Sequence, residues 1–256
     1  MNDSNQVAIK LIEEETSIER DYGRLPLYVV RPEGTAVLPA LILVHEIFGL
    51  NNHIKDVARR SARSGLIVFA PVLFAGHACA PENRDDTSAM RQHWQNLADD
   101  LLIGDLQSVF ALARRNPFVR SNAIGTAGYC MGGAIAYLFA CRTPLLAFCV
   151  DYYGRIYYPE ITQTKPRHPI DYAGGLNCPL LALFAGVDPL IPAEQIKLLE
   201  AKLNDLGKSF KFKIYENARH AFFNDQREFY DYEAAGDAWI MTLEFIAQHS
   251  SLASGP

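Results

Sequence analysis

The stretch "GTAGYCMGGAIAY", residues 125–137, decides the fold. It begins as the end of a buried strand and finishes as the start of a helix, with Cys130 on the turn between them. Gly128-Tyr129-Cys130-Met131-Gly132 fits the pattern G-x-nucleophile-x-G, with cysteine in the nucleophile position. The glycines have a physical reason. A nucleophile on such a turn sits on strained backbone, and a side chain at either flanking glycine would collide with a neighbouring strand or helix. The turn presents the sulfur at the carboxyl edge of a sheet, at the mouth of a helix N-terminus, where the helix dipole favours thiolate over thiol.

Working outward, short apolar runs alternate with amphipathic ones, as in a mostly parallel sheet flanked by helices on both faces. "LPLYVVRP" (25–32), "ALILVHE" (40–46), "LIVFAP" (66–71), "NAIGTAGY" (122–129), "LAFCVDYYG" (146–154), "CPLLALFAG" (178–186) and "FKFKIYE" (210–216) read as strands. "NNHIKDVARRSARSG" reads as a helix with Ile54, Val57, Ala58 and Ala62 on one stripe and Gly65 as its stop. The longest helix is expected from Met90 to Arg115, with Trp94, Leu97, Leu101, Leu106, Val109 and Ala113 inward. Further helices are read over 131–142 and from Pro192 to a stop at Gly207, and a last one uses Trp239, Leu243 and Ile246 as core contacts. The stretches Val72–Ala89 and 155–177 read as irregular. No internal repeat or Ser/Gly linker interrupts the chain, so residues 1–256 are expected to form a single domain. Its ends, 1–6 and 250–256, are expected to be flexible.

A net charge of −5 and the lack of any dense Lys/Arg run argue against nucleic-acid binding. The longest apolar stretches are strand-length, so no membrane span is expected, and the first residues carry no apolar leader. Five cysteines, odd in number and without CxxC spacing, fit a reducing compartment, and the expected location is cytoplasmic. Cys141, Cys149 and Cys178 fall on helix or strand segments and read as inert core. His77 and Cys79 have an HxC spacing, but two ligands without a second pair make a poor metal site. No metal or organic cofactor is expected.

The elbow sets an order to look for: nucleophile, then acid, then histidine, each at a strand end. "LFAGVDPLIP" puts Asp188 just after a core strand, and "IYENARHAFFND" puts His220 after the last one. Singly, Cys130 is as well read as a buried filler, Asp188 as a helix cap and His220 as a loop histidine. Together, in this order, they read as the triad of an α/β-hydrolase: Cys130 the nucleophile, His220 the base, Asp188 the residue that orients the imidazole. "HEIFGLNNH" follows a buried strand, where this fold donates an oxyanion-hole N–H from a loop; the donors are assigned to the backbone of Ile47 and Met131. His45-Glu46 does not begin HExxH, because position 49 is glycine. A carboxylate at an oxyanion site is electrostatically costly, so Glu46 either points to solvent or regulates the thiol's proton.

"HEIFGL", "GYCMGG", "AGVDPLIP" and "ARHAFFND…AAGDAW" together resemble the dienelactone hydrolase (carboxymethylenebutenolidase) family, from about residue 25 to 248. The resemblance implies that Cys130, Asp188 and His220 are the family's triad. It implies that Glu46 takes the thiol proton when substrate arrives, and that a cyclic enol lactone is opened to maleylacetate during chloroaromatic degradation without a cofactor. The chain departs from the family pattern in three places. Ala221 stands where the family has a serine after the histidine, Asn224 where it has an arginine paired with the glutamate, and Thr87 where it has the arginine for the substrate carboxylate. Arg84 and Arg91 are the candidates to replace that last arginine, near Trp94. Tyr152, Tyr153, Tyr157 and Tyr158 are candidates to line the pocket, with Tyr153 taken as a substrate contact.

A thiol points to the same substrates by a separate route. Thiolate is a good leaving group, so a tetrahedral intermediate from an alkyl ester tends to expel it, whereas an enolate leaves readily and drives the reaction forward. The expected partner is a small lactone or ester, and the size is compatible with a monomer. Three other readings remain: a broad small-acyl esterase or thioesterase, a catalytically silent binding or sensor module, and a redox-sensing thiol.

Overall fold

The computed structural model describes residues 9–74 and 86–251. Eight strands form one sheet in the order β1-β2-β4-β3-β5-β6-β7-β8, with β1 at Leu11–Arg20, β2 at Gly23–Pro32, β3 at Leu38–Val44, β4 at Ile67–Pro71, β5 at Val119–Tyr129, β6 at Cys149–Tyr152, β7 at Leu180–Val187 and β8 at Phe210–Arg219. The run from β4 through β3, β5, β6 and β7 to β8 is parallel throughout. β1 pairs antiparallel with β2, and β2 joins the rest by pairing antiparallel with β4. The inner strands are buried on both faces, as their continuous apolar runs require.

Among the described residues six α-helices cover the sheet: α1 Asn52–Arg63, α2 Thr87–Asn96, α3 Asp99–Arg115, α4 Met131–Arg142, α5 Ala193–Asp205 and α6 Tyr232–Ser251. Asn51 caps α1, its side chain accepting from the Ile54 N–H, and Gly65 ends it at φ 91°. Arg60 of α1 lies over the Trp239 ring of α6, tying these two helices together. Helix α4 is buried on every side from Met131 to Cys141, as suits a helix apolar all round. Among the described residues no helix is long and apolar enough to cross a membrane.

Four sequence expectations are corrected. The first strand, β1, was not foreseen: "LIEEETSIER" is an edge strand with most side chains in water, so no apolar period marks it. The helix expected over Met90–Arg115 is two helices, α2 beginning at Thr87 inside the stretch expected to be irregular. The chain is extended at Leu97 and Ala98, where Lys165 donates to the Leu97 carbonyl and the Asp99 N–H reaches Thr164. Helical spacing of apolar residues continues across this break, which hides it. The expected loop 155–177 contains a 3-10 helix at Pro169–Gly175. At the C-terminal end, α6 extends to Ser251, so 250 and 251 are helical; residues 1–6 and 252–256 lie outside the described residues.

Candidate active site

Parallel strands all end on one edge, and that edge collects the chemistry. β3 delivers His45-Glu46-Ile47, β5 delivers Cys130, β7 delivers Asp188 and β8 delivers His220. Cys130 sits at φ 57°, ψ −115°, a strained backbone held by close packing on both sides. A Cβ added at Gly128 would run into the backbone of Gly132, and one at Gly132 into the Val44 carbonyl. Both positions therefore require glycine, as the pattern predicts.

His220 bridges the other two members of the expected triad. Its Nε2 lies 3.1 Å from Cys130 Sγ and its Nδ1 2.6 Å from Asp188 Oδ2. Asp188 is fixed in turn, its Oδ1 accepting the Leu190 N–H at 2.8 Å. Burial opposes a charge on His220, yet the Cys130 sulfur and the Asp188 carboxylate outweigh it and push the imidazole up to about 10. The three residues, separated in sequence, meet as one hydrogen-bonded line.

The loop expected to supply the oxyanion donor is held by a residue that sequence reasoning passed over. His45 is fully buried and its Nε2 accepts the Leu73 N–H at 3.1 Å, which places the ring proton on Nδ1. Nδ1–H then donates to the Glu46 carbonyl at 2.6 Å, and the Gly49 N–H donates to the same oxygen at 3.1 Å. Across a trans peptide C=O and N–H point oppositely, so fixing the Glu46 oxygen fixes the Ile47 N–H. Among the described residues no backbone carbonyl takes up that N–H. Met131 opens α4, where the first N–H groups have no intrahelical partner.

Glu46 does not point to solvent: it is 1% exposed and lines the same cavity as Cys130. Asn224 donates to its Oε2, and burial pushes its carboxyl upward against the pull of His53, that hydrogen bond, His220 and Arg227.

The cavity holds about 560 Å³, enough for a small ring compound. Ile47, Met131, Trp94 and Arg91 line it, as expected or as candidates; Arg84 lies outside the described residues, as do His77 and Cys79. Tyr153 is not a lining residue. It is fully buried and packs its ring 5.2 Å from that of His220, because β6 ends beneath the triad and the chain turns there at φ 43°. Nor do the other tyrosines line the cavity: Tyr152 bonds Thr242 and Tyr158 bonds Asp99 in the core, and the Tyr157 ring packs at a tilt against His168. The residue this region does contribute is Arg155. Its half-buried guanidinium has no hydrogen-bond or ion-pair partner among the described residues, and burial lowers its pKa from the usual value. No periodicity marks an arginine in an irregular loop, so the sequence carried no signal for it. Cys141, Cys149 and Cys178 are buried, and burial pushes each thiol upward. No group of three metal-ligating side chains exists among the described residues.

A cysteine elbow, a histidine and an acid at three strand ends on one edge of a parallel sheet define an α/β-hydrolase. Within that class, the chain belongs to the dienelactone hydrolase family, whose model matches residues 25–250. It is similar to a Salmonella typhi protein named "Putative carboxymethylenebutenolidase", 33% identical over 235 residues that cover 91% of this chain and 86% of the relative. A Bradyrhizobium protein named "Probable 2-oxo-3-(5-oxofuran-2-ylidene)propanoate lactonase" is 32% identical over 87% of this chain and 88% of its own. The crystal structure titled "Putative Dienelactone Hydrolase" from Klebsiella pneumoniae superposes with a TM-score of 0.88 at 32% identity, covering 93% of this chain and 99% of that one. The protein is a carboxylic ester hydrolase.

Proposed function

We propose that the protein opens an enol lactone bearing a carboxylate, using Cys130 as nucleophile through a thioester. The observation that carries this reading is the line Cys130–His220–Asp188 in a cavity that also holds the Arg155 guanidinium, unpaired among the described residues. A substrate carboxylate supplies the partner Arg155 lacks, with Arg91 beside it. The role expected of Arg84 and Arg91 then falls chiefly to Arg155, which lines the same cavity as Cys130.

The chemistry then follows from the geometry. With the proton on His220, the Cys130 thiolate attacks the lactone carbonyl, and the Ile47 and Met131 amides receive the oxyanion. The carbonyl reforms as the ring C–O bond breaks, and the enolate leaves with the proton from His220, which becomes the neutral base. His220 then takes a proton from a water, whose oxygen attacks the thioester and expels thiolate. Asp188 keeps the Nδ1–H tautomer throughout, so that Nε2 faces sulfur and water in turn. Glu46, which lines the same cavity as Cys130, acts on the thiol's proton.

Comparing cis-dienelactone with p-nitrophenyl acetate tests the reading, with the native protein and Cys130→Ala, and with mass spectrometry of a trapped acyl-enzyme. Preferential lactone turnover, an adduct on Cys130 and an inactive variant are expected. Turnover confined to the phenyl ester would favour a broad esterase or thioesterase. Full activity in Cys130→Ala would overturn the mechanism, and no turnover of any ester would leave a binding module.

A further inference from the structure

The lining of the active-site cavity has the opposite sign to the chain that builds it. The whole sequence carries a net charge of −5, yet among the described residues four arginines, Arg91, Arg155, Arg219 and Arg227, border this cavity against two carboxylates, Glu46 and Glu228. One substrate carboxylate on Arg155, with Arg91 beside it, accounts for part of that excess. Arg219 and Arg227 are left over, and neither takes part in the steps at Cys130.

Both remaining guanidiniums are backed by aromatic rings. The guanidinium carbon of Arg227 lies 3.8 Å from the centroid of the Phe48 ring, and that of Arg219 lies 4.0 Å from the centroid of Phe229. One short segment joins the two stacks, because Arg227 and Phe229 are two residues apart in the loop after His220. Its turn is held by the Arg227 N–H donating to the Asn224 carbonyl at 3.1 Å and the Tyr230 N–H donating to the Arg227 carbonyl at 3.2 Å. A guanidinium this close to a ring centroid meets the ring with its face, which leaves the N–H groups in the plane and directed past the ring edge. That is the fork that matches a carboxylate. Among the described residues Arg219 makes no hydrogen bond or ion pair, so its donors are committed to no protein group. On an open surface such stacks would serve stability alone. Here both border the cavity that holds Cys130, whose volume of about 560 Å³ has room for more than a small ring.

We propose that the substrate is a dianion: a lactone or ester that carries, besides the carboxylate held by Arg155, a second carboxylate bound by the ring-backed forks of Arg219 and Arg227. This rests on the reading of the cavity as a carboxylate-binding ester hydrolase site and adds a second anion to it. The rings hold both guanidiniums in place before the ligand arrives, so little side-chain freedom is lost on binding. A cavity lined mainly by one sign of charge also concentrates anions at its mouth, on a protein whose net charge would otherwise repel them.

The test is a series of phenyl esters that differ in charge: phenyl acetate, 3-acetoxybenzoate and 5-acetoxyisophthalate, with none, one and two carboxylates on the leaving phenol. The native protein is compared with Arg155→Met, with Arg219→Gln combined with Arg227→Gln, and with Arg219→Lys combined with Arg227→Lys. Arg219 is exposed and Arg227 half-buried, so these variants leave the core intact. In the double Gln variant the loss of kcat/KM should grow with the charge of the ester. It should be about tenfold or more for the isophthalate and carried by KM, less than about threefold for the benzoate, and least for phenyl acetate. The double Lys variant keeps the charge without the fork and should still lose severalfold on the isophthalate. An equal loss on all three esters, or none on the isophthalate, overturns the inference. So does a double Lys variant with the native rate, since attraction by charge would then suffice. Failure of the reading beneath it looks different: Arg155→Met then loses nothing on the benzoate, or Cys130→Ala still hydrolyses all three.

Discussion

Nδ1 of His45 donates to the carbonyl oxygen of Glu46, the next residue, at 2.6 Å, and this contact turns the Ile47 N–H the other way. An oxyanion donor is effective when it is aimed before charge develops, because no reorganisation is then needed during the reaction. His45→Gln can reproduce one of the two bonds made by the ring but not both. Its kcat should fall roughly 10–100-fold with KM little changed, since ground-state binding does not use the donor. Steady-state kinetics on p-nitrophenyl acetate checks this, and an unchanged kcat would remove His45 from the oxyanion loop.

Arg155 predicts a split between anionic and neutral substrates. Arg155→Met keeps the stem and removes the charge. KM for a carboxylate-bearing lactone should rise about 10–100-fold, as for loss of a charge-assisted hydrogen bond, while p-nitrophenyl acetate should change by less than about twofold. Equal effects on both substrates would mean that Arg155 shapes the cavity without reading the carboxylate.

The buried pair of Lys165 and Asp99 predicts a stability cost that a second substitution repairs. Lys165 Nζ lies 2.7 Å from Asp99 Oδ1, between the rings of Trp94 and Tyr158, and also donates to the Leu97 carbonyl. Burial lowers the Lys165 pKa and raises that of Asp99, so each ion depends on the other. Lys165→Met should cost about 3–5 kcal/mol by stranding the carboxylate, and adding Asp99→Asn should recover a large part. Urea unfolding of the single and double variants measures both.

Asp151 predicts a pH-dependent gain in stability. It lies at the end of β6 with a single N–H donor, from Gly154 at 2.8 Å, and burial pushes its carboxyl up to about 7 from an unfolded value of 3.8. Below the unfolded value both states hold the proton and nothing is lost. From there up to about 7 only the unfolded chain releases it, so stability falls as pH rises; above about 7 the loss is complete. Asp151→Asn keeps the acceptor and removes the titration. Its melting temperature should rise by roughly 5 °C at pH 8, less at pH 5, and not at all near pH 4. A gain independent of pH would show that Asp151 is ionised in the fold.

Much of the site was legible because strand ends do not depend on detail. Once Cys130, Asp188 and His220 each follow an apolar run, a parallel sheet brings them to one edge, whatever the intervening loops do. Residues outside that logic were hidden. β1 is hydrated on both faces and shows no period, and the break at Leu97-Ala98 is made by a lysine 68 residues away. Tyr153 was misread because an aromatic residue in a loop looks exposed, whereas β6 ends below the triad and buries it. Arg155, two residues further on, is the side chain that reaches the cavity, and nothing local distinguishes the two.

The backbone at Cys130 is held by Gly128 and Gly132, not by the sulfur, and this separates two properties that mutation usually changes together. The shape of the turn belongs to its neighbours, while the sulfur, the proposed nucleophile, belongs to one side chain that can be exchanged without relaxing the turn. A lineage carrying this scaffold is therefore free to try another nucleophile in a single substitution. Each trial is judged on chemistry alone, because folding has already been settled by the glycines.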